Sequence, residues 1–248
     1  MGYSSRSYAR PYLGLPGFPP GIKWLLIVNI GVFLLQFFLG GTALGSIFAY
    51  LELIPAAVVT RLAVWQLVTY MFLHGGISHI LFNMLTLWMF GSMLESAWGT
   101  RRFLQLYFFS GIGAGVCIVV LNYVLGGAHI PTIGASGAIF GVMLACAMVW
   151  PDQIVLMSFL FPIKLKYMVM IFGVIAFLGA MNVNSGVSNI GHLGGMLFGY
   201  IFMKLPRVRT RGVHPLSGLQ DSYKAWKLAR AKKKFQVYLK KQRSDRIN

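Results

Sequence analysis

The sequence predicts an all-α membrane protein that crosses the bilayer six times. Composition is the first reason: of the 248 residues, 57% are hydrophobic and 11% are charged, whereas roughly a quarter of a soluble domain is charged. The apolar runs are the second reason. Residues 22–40 and 103–125 are nearly uninterrupted and long enough to cross a hydrocarbon layer of ~30 Å. The distribution of positive charge is the third.

In the predicted six-span topology, lysine and arginine lie almost entirely on one side of the membrane. Six spans are drawn at residues 22–40, 78–97, 102–125, 134–150, 165–181 and 188–204. With the N-terminus inside, the outer segments 41–77, 126–133 and 182–187 contain one such residue, Arg61. The inner segments contain Arg6, Arg10, Lys23, Arg101, Arg102, Lys164, Lys166 and a basic tail. Because cytoplasmic loops are enriched in Lys and Arg, we expect both termini in the cytoplasm.

The two ends of the chain differ from the spanning region 22–204. Residues 1–21 are polar and rich in proline and glycine, which predicts a disordered cytoplasmic head and no cleavable signal peptide. Residues 204–248 hold fourteen Lys or Arg against two Asp. The tail at 205–248 is either a solvated segment that helps to fix orientation or a basic amphipathic helix on the anionic inner leaflet. Nucleic acid is not expected as a partner.

The segment at 42–76 is too apolar for an ordinary loop, yet Glu52, Pro55 and Arg61 interrupt it. We expect short helices in the outer interface, with Trp65 and Tyr70 at the level of the lipid headgroups. The two cysteines, Cys117 and Cys146, lie within apolar runs and are expected to be small buried hydrophobes. The sequence predicts no metal and no cofactor.

Four polar side chains stand out because an unsatisfied polar group inside a bilayer is costly. His79 opens the second span, and Asn83 follows it on the same helical face. Ser136 opens the fourth span, and His192 lies near the start of the sixth. These three spans all run from outside to inside, so all four side chains are expected in the outer third of the membrane.

Small residues predict that the fourth and sixth spans pack closely. They recur at every fourth position, as Gly137, Gly141 and Ala145 on one span and Gly191, Gly195 and Gly199 on the other. Such faces let two helix backbones approach each other. A serine and a histidine at one depth on these spans can then form a nucleophile and its general base. The sequence therefore predicts Ser136 and His192 as a catalytic pair.

Further residues can support that pair. The amide of Ser136, the side chain of Asn83 and His79 are candidate donors to a developing oxyanion, and Phe140 can pack its ring against the imidazole of His192. A carboxylate is not expected to orient His192. Five are available, at Glu52, Glu95, Asp152, Asp221 and Asp245. We expect all but Glu52 to lie at the inner side, and Glu52 to lie in an interfacial loop.

An alternative function is a small transporter or channel, with His79, Asn83 and His192 along a polar path. The inner halves of the spans offer almost no polar continuation of such a path, apart from Glu95 at the inner edge. This feature favours a closed catalytic site over a route through the membrane.

The residues from about 20 to 204 resemble the rhomboid family of intramembrane serine proteases. The resemblance rests on His79-x-x-x-Asn83, on Gly134-Ala135-Ser136-Gly137 with Phe140, and on Gly191-His192 with Gly195 and Gly199. Glu95, Gly99 and His74 also match family patterns. One departure is Trp65-Gln66, where the family often carries Trp-Arg, which puts an arginine-based interaction in the outer loop in doubt.

The resemblance implies a six-helix rhomboid-like bundle with a membrane-embedded outer loop at 42–77. It implies Ser136 as nucleophile, His192 as general base, and His79 and Asn83 as oxyanion and cavity residues. The fifth span and the loop 182–189 would be the gate and cap, and other membrane proteins the substrates, cut at small residues with helix-breaking residues just beyond. A non-catalytic rhomboid-like chaperone remains an alternative. We expect a multi-pass protein of the bacterial inner membrane.

Overall fold

The structure is a computed structural model that describes residues 17–157, 161–180 and 188–206, together with the helical residues Lys227 and Arg230. Its contacts divide the chain into two units, Met1–Leu205 and Pro206–Asn248. Residues 1–16 and nearly all of the tail lie outside the described residues. The predicted disordered head and the two alternatives for the tail, a solvated segment or an amphipathic helix, therefore stay predictions.

Each of the six predicted segments overlaps one helix, and the bounds differ by at most two residues. The helices are α1 (Pro20–Leu39), α2 (Ile77–Trp98), α3 (Thr100–Val124), α4 (Ser136–Val149), α5 (Leu165–Ala180) and α6 (Asn189–Lys204). In the described part of the chain, α1, α2 and α3 are long and apolar enough to cross a membrane. Helices α4 and α5 are apolar but shorter, with 14 and 16 residues.

Helix α3 is the centre of the bundle and α1 is at its periphery. Phe103, Leu106 and Tyr107 on α3 are fully buried. In the most apolar 18-residue stretch of this helix, half of the residues are buried inside the protein. In the corresponding stretch of α1, only 17% of the residues are buried. The exposed face of α1 carries Leu34, Phe37 and other large apolar side chains. Together with the length of the helices, this outward apolar surface indicates an integral membrane protein.

A buried carboxylate at the end of α2 caps the start of α1. Pro20 occupies the first turn of α1, where its missing N–H costs nothing. The next two amides donate to Glu95, from Gly21 to Oε1 over 2.7 Å and from Ile22 to Oε2 over 2.8 Å. Thr100 donates its hydroxyl to Oε1 over 2.6 Å. Glu95 is 3% exposed, so its charge is held by donors at the positive end of a helix.

Helix α2 contains one π-helical turn, at Leu87–Gly91. Such a turn widens the helix locally and redirects the side chains that follow it. Gly91 lies in this turn, where a Cβ would overlap the side chain of Ile22 and crowd the ring of Phe103. The absence of a side chain at Gly91 therefore lets α2 pack against both α1 and α3.

The segment between α1 and α2 contains short helices, as predicted. The α-helical pieces are Ile47–Leu51, Pro55–Arg61 and Gln66–Thr69, and the 3-10 turns are Ala43–Ser46 and Tyr70–Phe72. Trp65 is half exposed. The prediction for Tyr70 is wrong: this residue is 2% exposed, and its hydroxyl donates to the carbonyl oxygen of Gly111 over 2.7 Å. Its polar end finds a partner on α3 and needs no headgroup.

A β-hairpin follows α4, so the prediction of a purely α-helical chain is incomplete. Its strands are β1 (Ile154–Met157) and β2 (Phe161–Lys164), which pair antiparallel with Ile154 opposite Lys164 and Leu156 opposite Pro162. Beside the strands, Asp152 pairs with Lys164 at 3.2 Å and with Lys166 at 2.9 Å. Both ion pairs are largely exposed, so they contribute little stability.

Candidate active site

The N-terminal ends of α2, α4 and α6 meet at one end of the bundle. His79 is the third residue of α2, Ser136 is the first residue of α4, and His192 is the fourth residue of α6. The hydroxyl oxygen of Ser136 lies 2.8 Å from Nε2 of His192. This is the distance of a hydrogen bond between a nucleophile and its base.

Glycines on α4 and α6 bring the two helix backbones together at this point. A Cβ at Gly195 would overlap the carbonyl oxygen of Gly137. A Cβ at Gly199 would lie 2.8 Å from Cα of Gly141, and one at Gly141 would lie 2.8 Å from the carbonyl oxygen of Gly195. Real Cβ atoms do not approach other atoms so closely. The short reach between Ser136 and His192 therefore depends on these small residues.

The ring of Phe140 supports the imidazole of His192. The two ring centroids are 4.1 Å apart, and the planes differ by 1°. Phe140 lies four residues after Ser136 on α4, so it shares the helical face of the serine. The parallel ring restricts rotation of the imidazole and leaves Nε2 directed at the serine oxygen.

The loop before Ser136 is held by the outer segment of the chain. Leu53 and Thr132 exchange two backbone hydrogen bonds of 3.0 and 2.9 Å, and the amide of Gly134 donates to the carbonyl of Tyr70 over 2.9 Å. Gly134 has φ of +124°, a conformation that favours glycine. A Cβ there would lie 2.8 Å from Nε2 of His79. Glycine is therefore required here by both the backbone and the neighbouring ring.

Asn83 and His79 lie beside that loop. A Cβ at Gly134 would be 3.8 Å from Nδ2 of Asn83, so the amide group lies next to the residues that precede the serine. Asn83 is 7% exposed, and its Nδ2 has no hydrogen-bond partner among the described residues. A buried donor without a partner is costly, and it is available to an oxygen atom of a bound molecule.

His74 was not among the predicted site residues, but it packs against one of them. Its ring centroid lies 5.1 Å from that of His79, at an interplanar angle of 67°, and its backbone amide donates to Oε1 of Gln36 over 3.0 Å. Burial, and then the neighbouring His79, lower the pKa of His74 to about 4. The ring is therefore neutral at pH 7.

No group of three or more potential ligands that could hold a metal ion occurs in the described ranges.

A cavity of about 1110 Å³ is lined by Ser136, His192, His79 and Asn83. Its polar end is formed by the helix N-termini described above. Beyond them it is lined by apolar side chains of α2, α4, α5 and β1, among them Phe82, Phe90, Met143, Leu156, Met168 and Phe172. Few polar groups and a large apolar wall are typical of a binding site for an apolar molecule or segment.

No carboxylate contacts His192 within the described part of the chain. Both oxygens of Glu95 bind donors at the start of α1 or at Thr100, and Asp152 binds two lysines beside the hairpin. Those lysines lower the pKa of Asp152, whereas burial raises the pKa of Glu52. Asp221 and Asp245 lie outside the described residues.

Comparison with known proteins agrees with this arrangement. A family model described as the Rhomboid domain matches residues 61–207, which is more than half of the chain and includes all four polar residues of the site. The chain belongs to the rhomboid family. Similar proteins include the rhomboid protease GluP of Bacillus subtilis (strain 168), which is 34% identical over 158 residues, or 62% of this chain and 29% of GluP.

Two other relatives show the same range of similarity. The putative rhomboid protease YdcA of Bacillus subtilis (strain 168) is 32% identical over 55% of this rhomboid and 64% of YdcA. RHOMBOID-like protein 1 of Arabidopsis thaliana is 32% identical over 60% of this chain and 37% of its own length. The alignments thus cover less than two thirds of each of these relatives.

In this rhomboid, Gln66 occupies the position at which the sequence departs from the Trp-Arg pattern. Gln66 is 3% exposed. Its Oε1 accepts from the amide of Ile54 over 3.0 Å, and its Nε2 donates to the carbonyl of Tyr50 over 3.2 Å. Trp65 donates to the same carbonyl over 2.9 Å. A neutral amide therefore joins the outer-loop helices, and no arginine is needed for that contact.

Proposed function

We propose that this rhomboid is an intramembrane serine endopeptidase that hydrolyses peptide bonds in or near transmembrane segments of other membrane proteins, using Ser136 and His192 as a catalytic dyad. The observation that carries the proposal is the 2.8 Å separation between the serine oxygen and Nε2 of His192. The family of the chain and the apolar cavity next to the pair support the same conclusion.

The first half of the reaction cleaves the substrate. Nε2 of His192 removes the proton from Ser136 as the serine oxygen attacks the scissile carbonyl carbon. The negative charge that develops on the carbonyl oxygen is stabilised by the amide of Ser136, by Nδ2 of Asn83 and by His79. His192 then gives its proton to the departing amine, the C–N bond breaks, and an acyl-enzyme remains on Ser136.

The second half regenerates the enzyme. A water molecule loses its proton to His192 and attacks the acyl carbon, and the ester bond to Ser136 breaks as the serine oxygen regains a proton. The base keeps its orientation through the parallel ring of Phe140 and through the close approach of α4 and α6 at Gly137 and Gly195. Under this proposal the dyad needs no carboxylate, which would otherwise orient the imidazole.

The length of α4 fits a site below the outer membrane surface. Its 14 residues extend about 21 Å, less than the ~30 Å of the hydrocarbon layer. If its C-terminal end lies at the inner interface, Ser136 lies within the outer third and is reached by water from outside. We propose six spans with both termini in the cytoplasm of a bacterium, and 22–204 as the protease domain.

Substrates would enter the cavity as transmembrane segments. Helix α5 is the proposed gate, because much of its surface is apolar and exposed, including Met170, Val174 and Phe177. The proposed cap at 182–189 lies mostly outside the described residues. The basic tail would rest on the anionic inner leaflet, where each Lys or Arg near the surface contributes about 1 kcal/mol.

Cleavage of a model membrane protein in detergent tests the proposal. Ser136→Ala and His192→Ala should each abolish cleavage while the protein remains folded and inserted. More than trace activity in Ser136→Ala would contradict the serine mechanism. If wild-type protein binds membrane proteins without cutting them, the rhomboid is a non-catalytic binding protein.

A further inference from the structure

The cavity that contains Ser136 continues well beyond the polar residues. On α2 its lining begins at Ile77, includes His79 and Asn83, and extends to Phe90. Thirteen helical steps of about 1.5 Å place the two ends about 20 Å apart. The cavity is thus a cleft along most of α2, and the candidate catalytic pair lies at its outer end.

The inner end of this cleft is formed by the hairpin. Leu156 on β1 lines the cavity together with Phe90 of the π-helical turn and Met168 of α5. Its side chain is half exposed, at 51%, although it borders an apolar space. Ser136 begins α4 and β1 follows the other end of that helix, so Leu156 borders the same cavity as Ser136 from the opposite end.

The hairpin has two different faces. Val155 and its partner Ile163 pack against the hydrophobic core. Ile154 and Leu156 alternate with Val155 along β1, so they lie on the other face, and both are largely exposed, at 61% and 51%. Of these two, only Leu156 lines the cleft. The hairpin thus offers one apolar side chain to the cleft and another, of similar size and exposure, outside it.

We propose that Leu156 is a specificity-determining residue, which contacts the inner half of a transmembrane substrate and marks the inner end of the binding cleft. This inference rests on the proposed protease function. The loop before Ser136 lies beside His79, and the last lining residue of α2 is Phe90. A substrate helix along the cleft therefore has about 11 residues between the catalytic pair and the end bordered by Leu156. Substrates with an apolar helix of that length beyond the cut would bind most tightly.

A substrate helix fits this position better than the surface of the bilayer does. The cleft is continuous from Ser136 to Leu156, so one bound segment can contact both ends. In addition, Lys164 at the end of β2 and Lys166 just after it are both paired with Asp152. This pairing offsets part of the positive charge that would draw the hairpin to anionic headgroups.

The test compares Leu156→Lys with a matched control, Ile154→Lys. Both variants place a lysine on the same exposed face of the same strand. Two model substrates are used in detergent: one with an apolar helix extending about 11 residues past the scissile bond, and one that ends about 5 residues past it. Values of KM and kcat are measured for all four combinations and for the wild type.

We expect Leu156→Lys to raise KM for the long substrate about tenfold, because a charged group replaces an apolar contact, with kcat within about twofold. For the short substrate, KM should be the same in this variant and in the wild type. Ile154→Lys should follow the wild type with both substrates. The proposal is overturned if the two variants behave alike, or if the KM effect of Leu156→Lys is independent of substrate length.

Cross-linking separates this proposal from the protease function. In a Ser136→Ala background, a photoreactive amino acid at position 156 should cross-link to the inner half of the long substrate, and one at position 154 should not. If wild-type protein fails to cleave but position 156 still cross-links, the protease proposal fails and the binding cleft stands. Cross-linking of both positions to lipid and of neither to substrate would show that the hairpin contacts the membrane, and would overturn the inference.

Discussion

The imidazole of His192 lies flat against the ring of Phe140, with centroids 4.1 Å apart and planes that differ by 1°. Nε2 of the same imidazole lies 2.8 Å from the hydroxyl oxygen of Ser136. An aromatic ring therefore supports the proposed base in a site where no carboxylate contacts it among the described residues. The activity of the pair should depend on this ring and on the helix packing that maintains the contact.

Loss of the Phe140 ring should impair turnover. Phe140→Leu keeps an apolar side chain but allows the imidazole to rotate, and a small misplacement of a catalytic group can cost about 100-fold. We expect kcat to fall by about 10- to 100-fold with KM little changed. Phe109→Leu is the matched control, because Phe109 packs on Phe198 and Phe202 and does not line the cleft. Equal kcat values in the two variants would contradict the supporting role of Phe140.

A side chain at Gly195 should separate the two helices that carry the proposed dyad. Because a Cβ at Gly195 would overlap the carbonyl oxygen of Gly137, Gly195→Leu should lower activity at least ~100-fold by moving His192 away from Ser136. Gly31→Leu is the control, since Gly31 also lies within a helix but a Cβ there would meet no other atom within 4 Å. Cleavage assays on folded, inserted protein should find Gly31→Leu close to the wild type, and a fully active Gly195→Leu would refute the packing argument.

Glu95 should matter for stability and not for chemistry. Its carboxylate binds the amides of Gly21 and Ile22 and the hydroxyl of Thr100. Glu95→Gln replaces one acceptor oxygen by a donor, so we expect the free energy of unfolding to fall by about 2 kcal/mol. Denaturant unfolding in detergent measures the loss, and kcat of the folded fraction should stay within about threefold. A large drop in kcat with unchanged stability would show that Glu95 takes part in catalysis.

The two remaining described carboxylates should be dispensable for turnover. Glu52 lies in the outer segment, and Asp152 lies beside the hairpin with its lysines. We expect Glu52→Gln and Asp152→Asn each to retain kcat within about twofold. Neutralising the carboxylate of a catalytic triad lowers kcat by ~10⁴-fold, and a loss of that size in either variant would rule out a dyad.

The helices and the candidate catalytic pair were predictable because each depends on a strong local signal. Uninterrupted apolar runs locate the long helices. The distribution of Lys and Arg predicts the orientation of the spans, and this orientation predicts a common depth for Ser136 and His192. The glycines at every fourth position then indicate which helices approach closely enough for the two side chains to meet.

The contacts of the outer segment and the hairpin were not predictable in the same way. The burial of Tyr70 depends on the position of Gly111, 41 residues away along the chain, and no local pattern records it. Gln66 differs from the expected arginine, but its two bonds to Tyr50 and Ile54 require the folded loop. The strands of the hairpin lie in a short apolar run at residues 154–163, and periodicity alone does not distinguish such a run from part of a buried helix.

Covalent labelling with a fluorophosphonate tests the central claim most directly, since this reagent reacts with a serine activated by a neighbouring base. We expect wild-type protein to gain one adduct, located at Ser136 by mass spectrometry, and we expect no adduct in Ser136→Ala and a greatly slowed reaction in His192→Ala. An adduct at another residue, or equal labelling of the wild type and Ser136→Ala, would contradict the assignment of Ser136 as the nucleophile.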